Sequence, residues 1–236
     1  MDLQDKVCVV TGASRGLGQH FAEALIEQGA TVYGLARSTG DLDQLQNDLG
    51  DDFRPVKCDV RSEESVQQAF QSVTSEAGRL DTLLNNAGLG RFDDVADASV
   101  EDWDTMMETN VRGVFLCARA ALAPMKAQNE QSGFGGHIIN IASIAGLVAN
   151  DGLSGYNASK FGVRGFSLAL MKEVREDGIK VSCVYPGSVE TSFSPGESPK
   201  NKMQPEDVSD TVLHLLNSPD NYLVSEVVMR PLRPGG

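Results

Sequence analysis

The sequence predicts an α/β fold: a doubly wound, seven-stranded and mainly parallel sheet with helices on both faces. Three observations lead there. Seven short runs rich in Val, Ile and Leu recur along the 236 residues, at 7–10, 31–35, 53–58, 82–84, 137–142, 180–185 and 226–229. Segments of helical period lie between most of them, at 16–28, 41–49, 62–77, 100–128, 154–176 and 205–216. The apolar runs are nearly continuous instead of alternating, which is the pattern of strands covered on both faces and joined by right-handed crossovers.

Each element has local support. The first run passes through Thr11 into a glycine loop, Gly12 to Gly18, which opens the first helix. Gly29 and Gly78 sit just past the ends of the first and third helices, where a left-handed residue stops a helix. Ser62 precedes Glu64 and an apolar-periodic run, an N-terminal signature. Pro205 opens the last helix, where its missing N–H costs nothing. The Gly/Pro/Ser-rich stretch 192–204 reads as a loop over a site. No linker, repeat or low-complexity segment interrupts the chain, so 1–236 reads as one domain.

Composition removes several function classes. Twenty Lys+Arg against 33 Asp+Glu give a net charge of −13, and no basic cluster offsets it, so nucleic acid and anionic membrane surfaces are repelled. The longest mostly apolar stretch, 137–149, is interrupted by Asn140, Ser143 and Gly146 and falls short of the ~18–20 residues of a membrane span. Residues 1–6 lack the basic-then-apolar lead of a secretory signal, so a cytoplasmic location is expected. Cys8, Cys58, Cys117 and Cys183 are widely separated and read as reduced thiols. His20, His137 and His214 form no ligand pair, so no metal site is expected.

Two constellations carry chemistry. Strand, glycine loop and helix at Thr11-Gly12-Ala13-Ser14-Arg15-Gly16-Leu17-Gly18 let the backbone approach a pyrophosphate at a helix N-terminus. The spacing is neither G-x-G-x-x-G nor a P-loop, since Gln19 stands where a phosphate-binding lysine belongs. Tyr156 and Lys160 are four apart on one helix face. An ammonium beside a phenol favours the phenolate, and bringing a tyrosine from ~10 toward neutrality takes about 4 kcal/mol. The pair is thus a candidate general acid/base, and Ser143, at the carboxyl end of a strand, can orient a substrate oxygen.

TGASRGLG, Leu84-Asn85-Asn86-Ala87-Gly88, Asn110, Ser143, Tyr156-Asn157-Ala158-Ser159-Lys160 and Tyr185-Pro186-Gly187 stand in the order seen in short-chain dehydrogenases/reductases. The chain resembles that family from Lys6 to about Thr191. The resemblance implies a Rossmann fold with strand order 3-2-1-4-5-6-7, a cofactor-binding part at about 1–150 and a substrate part at about 110–225. It implies a catalytic tetrad of Asn110, Ser143, Tyr156 and Lys160, with Asn110 holding a water that connects the lysine to solvent. It places Gly12, Ser14, Arg15, Gly16, Leu17 and Gly18 at a nicotinamide dinucleotide's pyrophosphate. Asn86, Ala87 and Gly88 fall near the adenosine ribose, Asp59 at the adenine amino group and Val60 on its ring. Lys160 holds the nicotinamide ribose, while Pro186, Gly187, Val189 and Thr191 border the nicotinamide.

The activity implied is hydride transfer between a nicotinamide cofactor and a carbonyl or secondary alcohol. Residues 89–92, 144–149, 152–153 and 189–193 form mostly apolar pocket walls, and Arg91 reads more readily as a surface ion pair than as a carboxylate anchor. Reduction of 3-oxoacyl groups on acyl carrier protein is an alternative, with Arg91, Arg112, Arg164 and Lys172 as scattered basic candidates. A dinucleotide-responsive regulatory protein without turnover is a second. The tail Val227 to Gly236 departs from the common Val-Asp-Gly-Gly-like ending and resembles a subgroup acting on hydroxy acids and small carbonyls. By family analogy, the helices carrying Val111, Phe115, Ala118, Phe161, Phe166 and Leu170 would build a homodimer or homotetramer interface.

Charge selects the cofactor. The second apolar run ends in Ala36-Arg37-Ser38, where NAD-binding relatives carry an acid for the ribose hydroxyls. A guanidinium there, with Arg15 in the glycine loop, suits a 2′-phosphate, so NADP(H) is expected. Arg37→Asp should lower the preference for NADPH over NADH roughly ten- to hundredfold, the worth of a charged hydrogen bond. An unchanged preference in steady-state assays with both cofactors removes the assigned role.

Overall fold

Strand β1 (Val7–Thr11) is the centre from which the chain winds outward twice. In a computed structural model describing residues 2–191, 193 and 202–233, it is followed by α1 (Gly16–Glu27), β2 (Thr31–Ala36), α2 (Gly40–Leu49), β3 (Phe53–Lys57) and α3 (Glu63–Ala77). The chain then returns across β1 to β4 (Thr82–Asn85), α4 (Val100–Met107), α5 (Gly113–Ser132) and β5 (Gly136–Ile141). It ends with α6 (Ser154–Val174), β6 (Ile179–Pro186), α7 (Pro205–Leu216) and β7 (Glu226–Met229). The sheet order is β3-β2-β1-β4-β5-β6-β7, as expected, and every neighbouring pair is parallel. Pro55, which cannot donate to a ladder, lies on the edge strand β3, where such a residue is tolerated.

Successive strand residues feed opposite layers. Val9 joins Phe70, Leu116, Met125 and Leu170, from α3, α5 and α6. Cys8 and Val10 join Phe21, Leu25, Leu42, Val212 and Leu216, from α1, α2 and α7. Both sheet faces are therefore buried, which is why the strands read as continuous apolar runs. Among the described residues no helix is long and apolar enough to cross a membrane.

The predicted helix 100–128 is not continuous. A π-helical turn, Glu108–Arg112, separates α4 from α5, and Ser99 caps α4 by accepting from the Asp102 amide. The predicted 154–176 helix ends at Val174, followed by a 3-10 turn, Arg175–Asp177. Of the predicted loop 192–204, residues 192 and 194–201 lie outside the described residues, as do 234–236 of the tail. At its far end Met203 bridges back to Val189.

Between β4 and β5 the interior is polar. The Asn85 amide donates to Asn140 (2.8 Å), which donates to the Ser167 hydroxyl (2.8 Å), which donates to the Val163 carbonyl of α6 (2.7 Å). Each of these side chains is buried and the chain of donors runs in one direction, so every member is satisfied.

The carboxyl ends of β1 and β4 meet at the topological switch point, where open α/β sheets bind ligands. Here the Thr11 hydroxyl accepts from the Asn86 and Ala87 amides, both at 3.0 Å, and donates to the Leu84 carbonyl. The Asn86 side chain returns the contact by donating to the carbonyls of Thr11 (3.0 Å) and Gly12 (3.3 Å). Gly12 adopts φ +66°, and a Cβ on Gly18 would stand 2.1 Å from the Gly12 carbonyl oxygen. Gly18→Ala should therefore cost about 1–3 kcal/mol or more, as overpacking does. Gly40→Ala, with nothing within 4 Å, should change stability by less than about 0.5 kcal/mol. Urea denaturation of both variants checks the contrast, and equal midpoints would contradict the packing described.

Candidate active site

Every residue singled out in the sequence lies at or beyond the carboxyl end of a strand, or on a helix facing that end. Helix α1 starts without a side-chain cap and without an acid in its first turn. Helices α2, α3, α4 and α7 each carry two acids there. The N–H groups and the positive dipole end of α1 are thus left for an anion, beside a backbone that glycine keeps bare. A Cβ on Gly16 would lie 3.9 Å from Thr191 Cβ, so the loop after β6 reaches the glycine loop. Ser14 is half-buried, while Leu17 and Val189 pack against the α1-side core.

Arg15, Arg37 and Ser38 are exposed, and neither arginine forms an ion pair among the described residues. Asp59 accepts from the Arg61 backbone amide (3.0 Å), Nε (3.0 Å) and Nη2 (2.8 Å). Arg61, and less strongly Arg37, hold its carboxyl below the usual range. An adenine amino group at Asp59 would have to share that carboxylate with Arg61. Val60 is buried against Gly113, where an added Cβ would stand 2.9 Å from Val60 Cγ2.

Tyr156 and Lys160 lie in the first two turns of α6, both buried. Ser143, just past the end of β5, accepts from the Ala145 amide (3.1 Å), and its hydroxyl favours the ionised form of the Tyr156 phenol. Lys160 Nζ donates to the Ile141 carbonyl (3.0 Å) and sits 5.7 Å from the Tyr156 ring centroid. A Cβ on Gly88 would be 3.6 Å from that Nζ, and one on Gly187 would meet Ile144 at 2.8 Å.

The electrostatics correct one expectation. Burial pushes the Tyr156 phenol up to about 12, with Ser143 alone opposing, and pushes Lys160 down to about 8, with Cys183 opposing. Burial outweighs any depression of the phenol, and the Lys160 ammonium is directed at the Ile141 carbonyl.

Asn110 sits in a hydrogen-bond network of its own. The π turn swings it inward, where its Oδ1 accepts from the Leu89 amide (2.9 Å). Its Nδ2 donates to the Leu89 carbonyl (2.8 Å) and to Ser159 Oγ (3.0 Å), and Ser159 donates on to the Tyr156 carbonyl (2.8 Å). The amide clamps the loop after β4 to α6 with both Nδ2 hydrogens donated.

Three supporting side chains stood in the quoted motifs without a role: Thr11, Ser159 and Asn157, whose amide donates to the carbonyls of Ala145 (2.6 Å) and Val148 (2.9 Å). A signal existed for Asn157, since asparagine early in a helix is there for its hydrogen bonds more often than for propensity. Phe92 was named only as a wall; its ring meets Tyr156 edge-on, and Phe193 also lies against the phenol. Arg91 pairs with Asp102 (3.0 Å), the ion-pair role expected of it.

The comparisons with known proteins follow this geometry. Over 233 residues, covering 98% of this chain and 99% of the relative, it is 35% identical to an uncharacterised oxidoreductase of Staphylococcus aureus (strain USA300). Its structure is similar to the closed form of serine dehydrogenase complexed with NADP+, at a TM-score of 0.90 and 34% identity, covering 96% of this chain and 95% of that one. It is also similar to 3-ketoacyl-(acyl-carrier-protein) reductase from Brucella melitensis complexed with NADH, at a TM-score of 0.88 and 26% identity, covering 96% and 97%. The family model for short chain dehydrogenase matches residues 6–202, the stretch holding the glycine loop, the β1–β4 switch point and the Ser143-Tyr156-Lys160 cluster. The chain belongs to the short chain dehydrogenase family of oxidoreductases.

Proposed function

We propose that the protein transfers a hydride between NADP(H) and an uncharged carbonyl compound or the corresponding secondary alcohol, with Tyr156 as general acid/base. The observation that carries this reading is the buried phenol of Tyr156 with the Lys160 ammonium 5.7 Å from its ring centroid, on a helix whose first turns face the carboxyl ends of the strands. The donor set fits a nicotinamide dinucleotide. The uncapped first turn of α1 and the bare backbone at Gly12, Gly16 and Gly18 suit a pyrophosphate, and the unpaired Arg15 and Arg37 suit a 2′-phosphate. Asn86, Ala87, Gly88, Pro186, Gly187 and Thr191 would line the rest, with Asp59 and Val60 at the adenine end and Lys160 at the nicotinamide ribose.

When bound, the reduced nicotinamide supplies the hydride that the carbonyl carbon accepts. Tyr156 gives its proton to the carbonyl oxygen, so the ketone becomes an alcohol and the phenol a phenolate. Burial keeps the phenol protonated at neutral pH, which suits the reductive direction. Ser143 donates to the same oxygen and fixes its approach. Lys160, protonated, stabilises the phenolate until it regains a proton. Asn110 and Ser159 are positioning residues that hold Leu89 and the first turn of α6 in place.

Other basic candidates offer little to an acidic carrier protein: Arg91 is paired with Asp102, Arg164 with Glu226, and Arg112 is bonded to the Arg61 carbonyl. The proposal extends to a homo-oligomer, supported by Phe115 and Phe161, which stay exposed on α5 and α6. A cytoplasmic setting is supported by four buried free thiols.

Tyr156→Phe should lower kcat for carbonyl reduction by about 10²–10⁴, the usual worth of a positioned acid, with NADPH affinity retained by fluorescence titration. Turnover within tenfold of wild type refutes the acid assignment. Lys160 gives a stability signature. Its folded pKa of about 8 lies below the unfolded value near 10.5, so the unfolded state binds more protons between the two. Wild type should therefore gain stability relative to Lys160→Met as pH rises from 8 to 10, by at most about 3 kcal/mol. A pH-independent difference between the two melting curves contradicts the burial of a titrating amine.

A further inference from the structure

We propose that Phe92 and Phe193 form a clamp for an aromatic ring over Tyr156, so that the site takes uncharged aryl ketones and aldehydes and rejects carboxylate-bearing carbonyls. The inference rests on the hydride-transfer reading and names its substrate class.

Geometry is the first support. The Phe92 ring stands at 90° to that of Tyr156, with centroids 5.5 Å apart, and Phe193 lies 5.9 Å away at 48°. The two phenylalanines are 6.4 Å apart at 60°. All three pairs fall within the ~4.5–7 Å range in which aromatic rings attract edge-to-face or offset. Phe92 comes from the loop after β4 and Phe193 from the loop after β6, so the clamp spans the crevice. Gly90 permits it, since a Cβ there would stand 2.5 Å from Phe92 and 3.3 Å from Phe193. The rings are 39% and 40% exposed, which leaves apolar surface beside the acid that no group among the described residues covers.

Charge is the second. The segments 86–99, 144–153 and 187–193 contain one cation, Arg91, and five acids: Asp93, Asp94, Asp97, Asp151 and Glu190. Arg91 is spent on Asp102 and on the Gly90 carbonyl. A carboxylate brought to Tyr156 would lose water and feel these acids, and among the described residues of these segments no cation is free to pair with it. In this respect the site is unsuited to the substrate that names the serine dehydrogenase it resembles in fold.

The test compares acetophenone, phenylglyoxylate, cyclohexyl methyl ketone and 2-butanone by NADPH oxidation, for wild type, Phe92→Leu and Phe193→Leu. Wild type should favour acetophenone over each of the others. Each leucine variant should lower the acetophenone to 2-butanone ratio of kcat/KM roughly three- to tenfold, chiefly through KM, as expected for one lost aromatic contact. Both rings are half-exposed, so leucine should leave the melting temperature close to wild type, and circular dichroism checks this. Ligand-observed NMR of acetophenone binding to wild type and to the double variant gives a readout independent of turnover. A wild-type preference for phenylglyoxylate or 2-butanone, or an unmoved ratio in the variants, overturns the clamp and leaves hydride transfer standing. Ring-dependent binding without NADPH oxidation supports the clamp and overturns hydride transfer, and neither binding nor turnover overturns both.

Discussion

Two stretches of backbone pass one another at the switch point with no room for a side chain between them. Gly18 faces the Gly12 carbonyl at a distance that excludes even a methyl group, and Asn86 lays its amide across both. The contact ties the turn after β1 to the turn after β4, and the rest of the site inherits its position from that tie. The start of α1 is aimed into the crevice by it. Through Leu89, the same β4 loop hands its position to Asn110, then to Ser159 and so to Tyr156. The acid at the reaction centre is thus connected to the glycine loop through main-chain and side-chain hydrogen bonds, not through hydrophobic packing alone.

Burial sets the chemistry of that acid as firmly as its neighbours do. Phenol and amine are both taken out of water, and each is driven toward its neutral form: the phenol holds its proton more tightly and the amine less so. At neutral pH the resting site holds a neutral phenol beside an ammonium, and loss of the Tyr156 proton turns the two into a phenolate–ammonium pair. An acidic chain can keep such a centre because the carboxylates lie outside it, on the loop and helix surfaces around α4.

The fold was legible because its strands are buried on both sides and therefore announce themselves as apolar runs, and because glycine and proline mark the ends of its helices. The order of the strands came from the motifs, whose sequence spacing is specific to one family. What escaped was whatever depends on contacts between segments distant along the chain. The π turn leaves no mark in a helical pattern that continues on both sides of it. Asn110 was recognised, yet its partners Leu89 and Ser159 are 21 and 49 residues away, and no local pattern points to them. The rise in the Tyr156 pKa escaped for the same reason: a spacing of four places Lys160 on the right face but says nothing about how deeply distant segments bury the phenol.

The polar chain from Asn85 through Asn140 to Ser167 also limits how the sequence can drift. Apolar residues of β4 and β5 can exchange among Val, Ile and Leu at modest cost, since their packing has no direction. The amide ladder does have direction, and replacing any one member strands the next in hydrocarbon, at about 1–3 kcal/mol for each orphaned group. Change there is expected to be concerted, with all three positions polar or all three apolar. A one-residue slip of β5 against β4 would break the ladder as surely as a substitution, so these three side chains also act as an alignment key for the centre of the sheet.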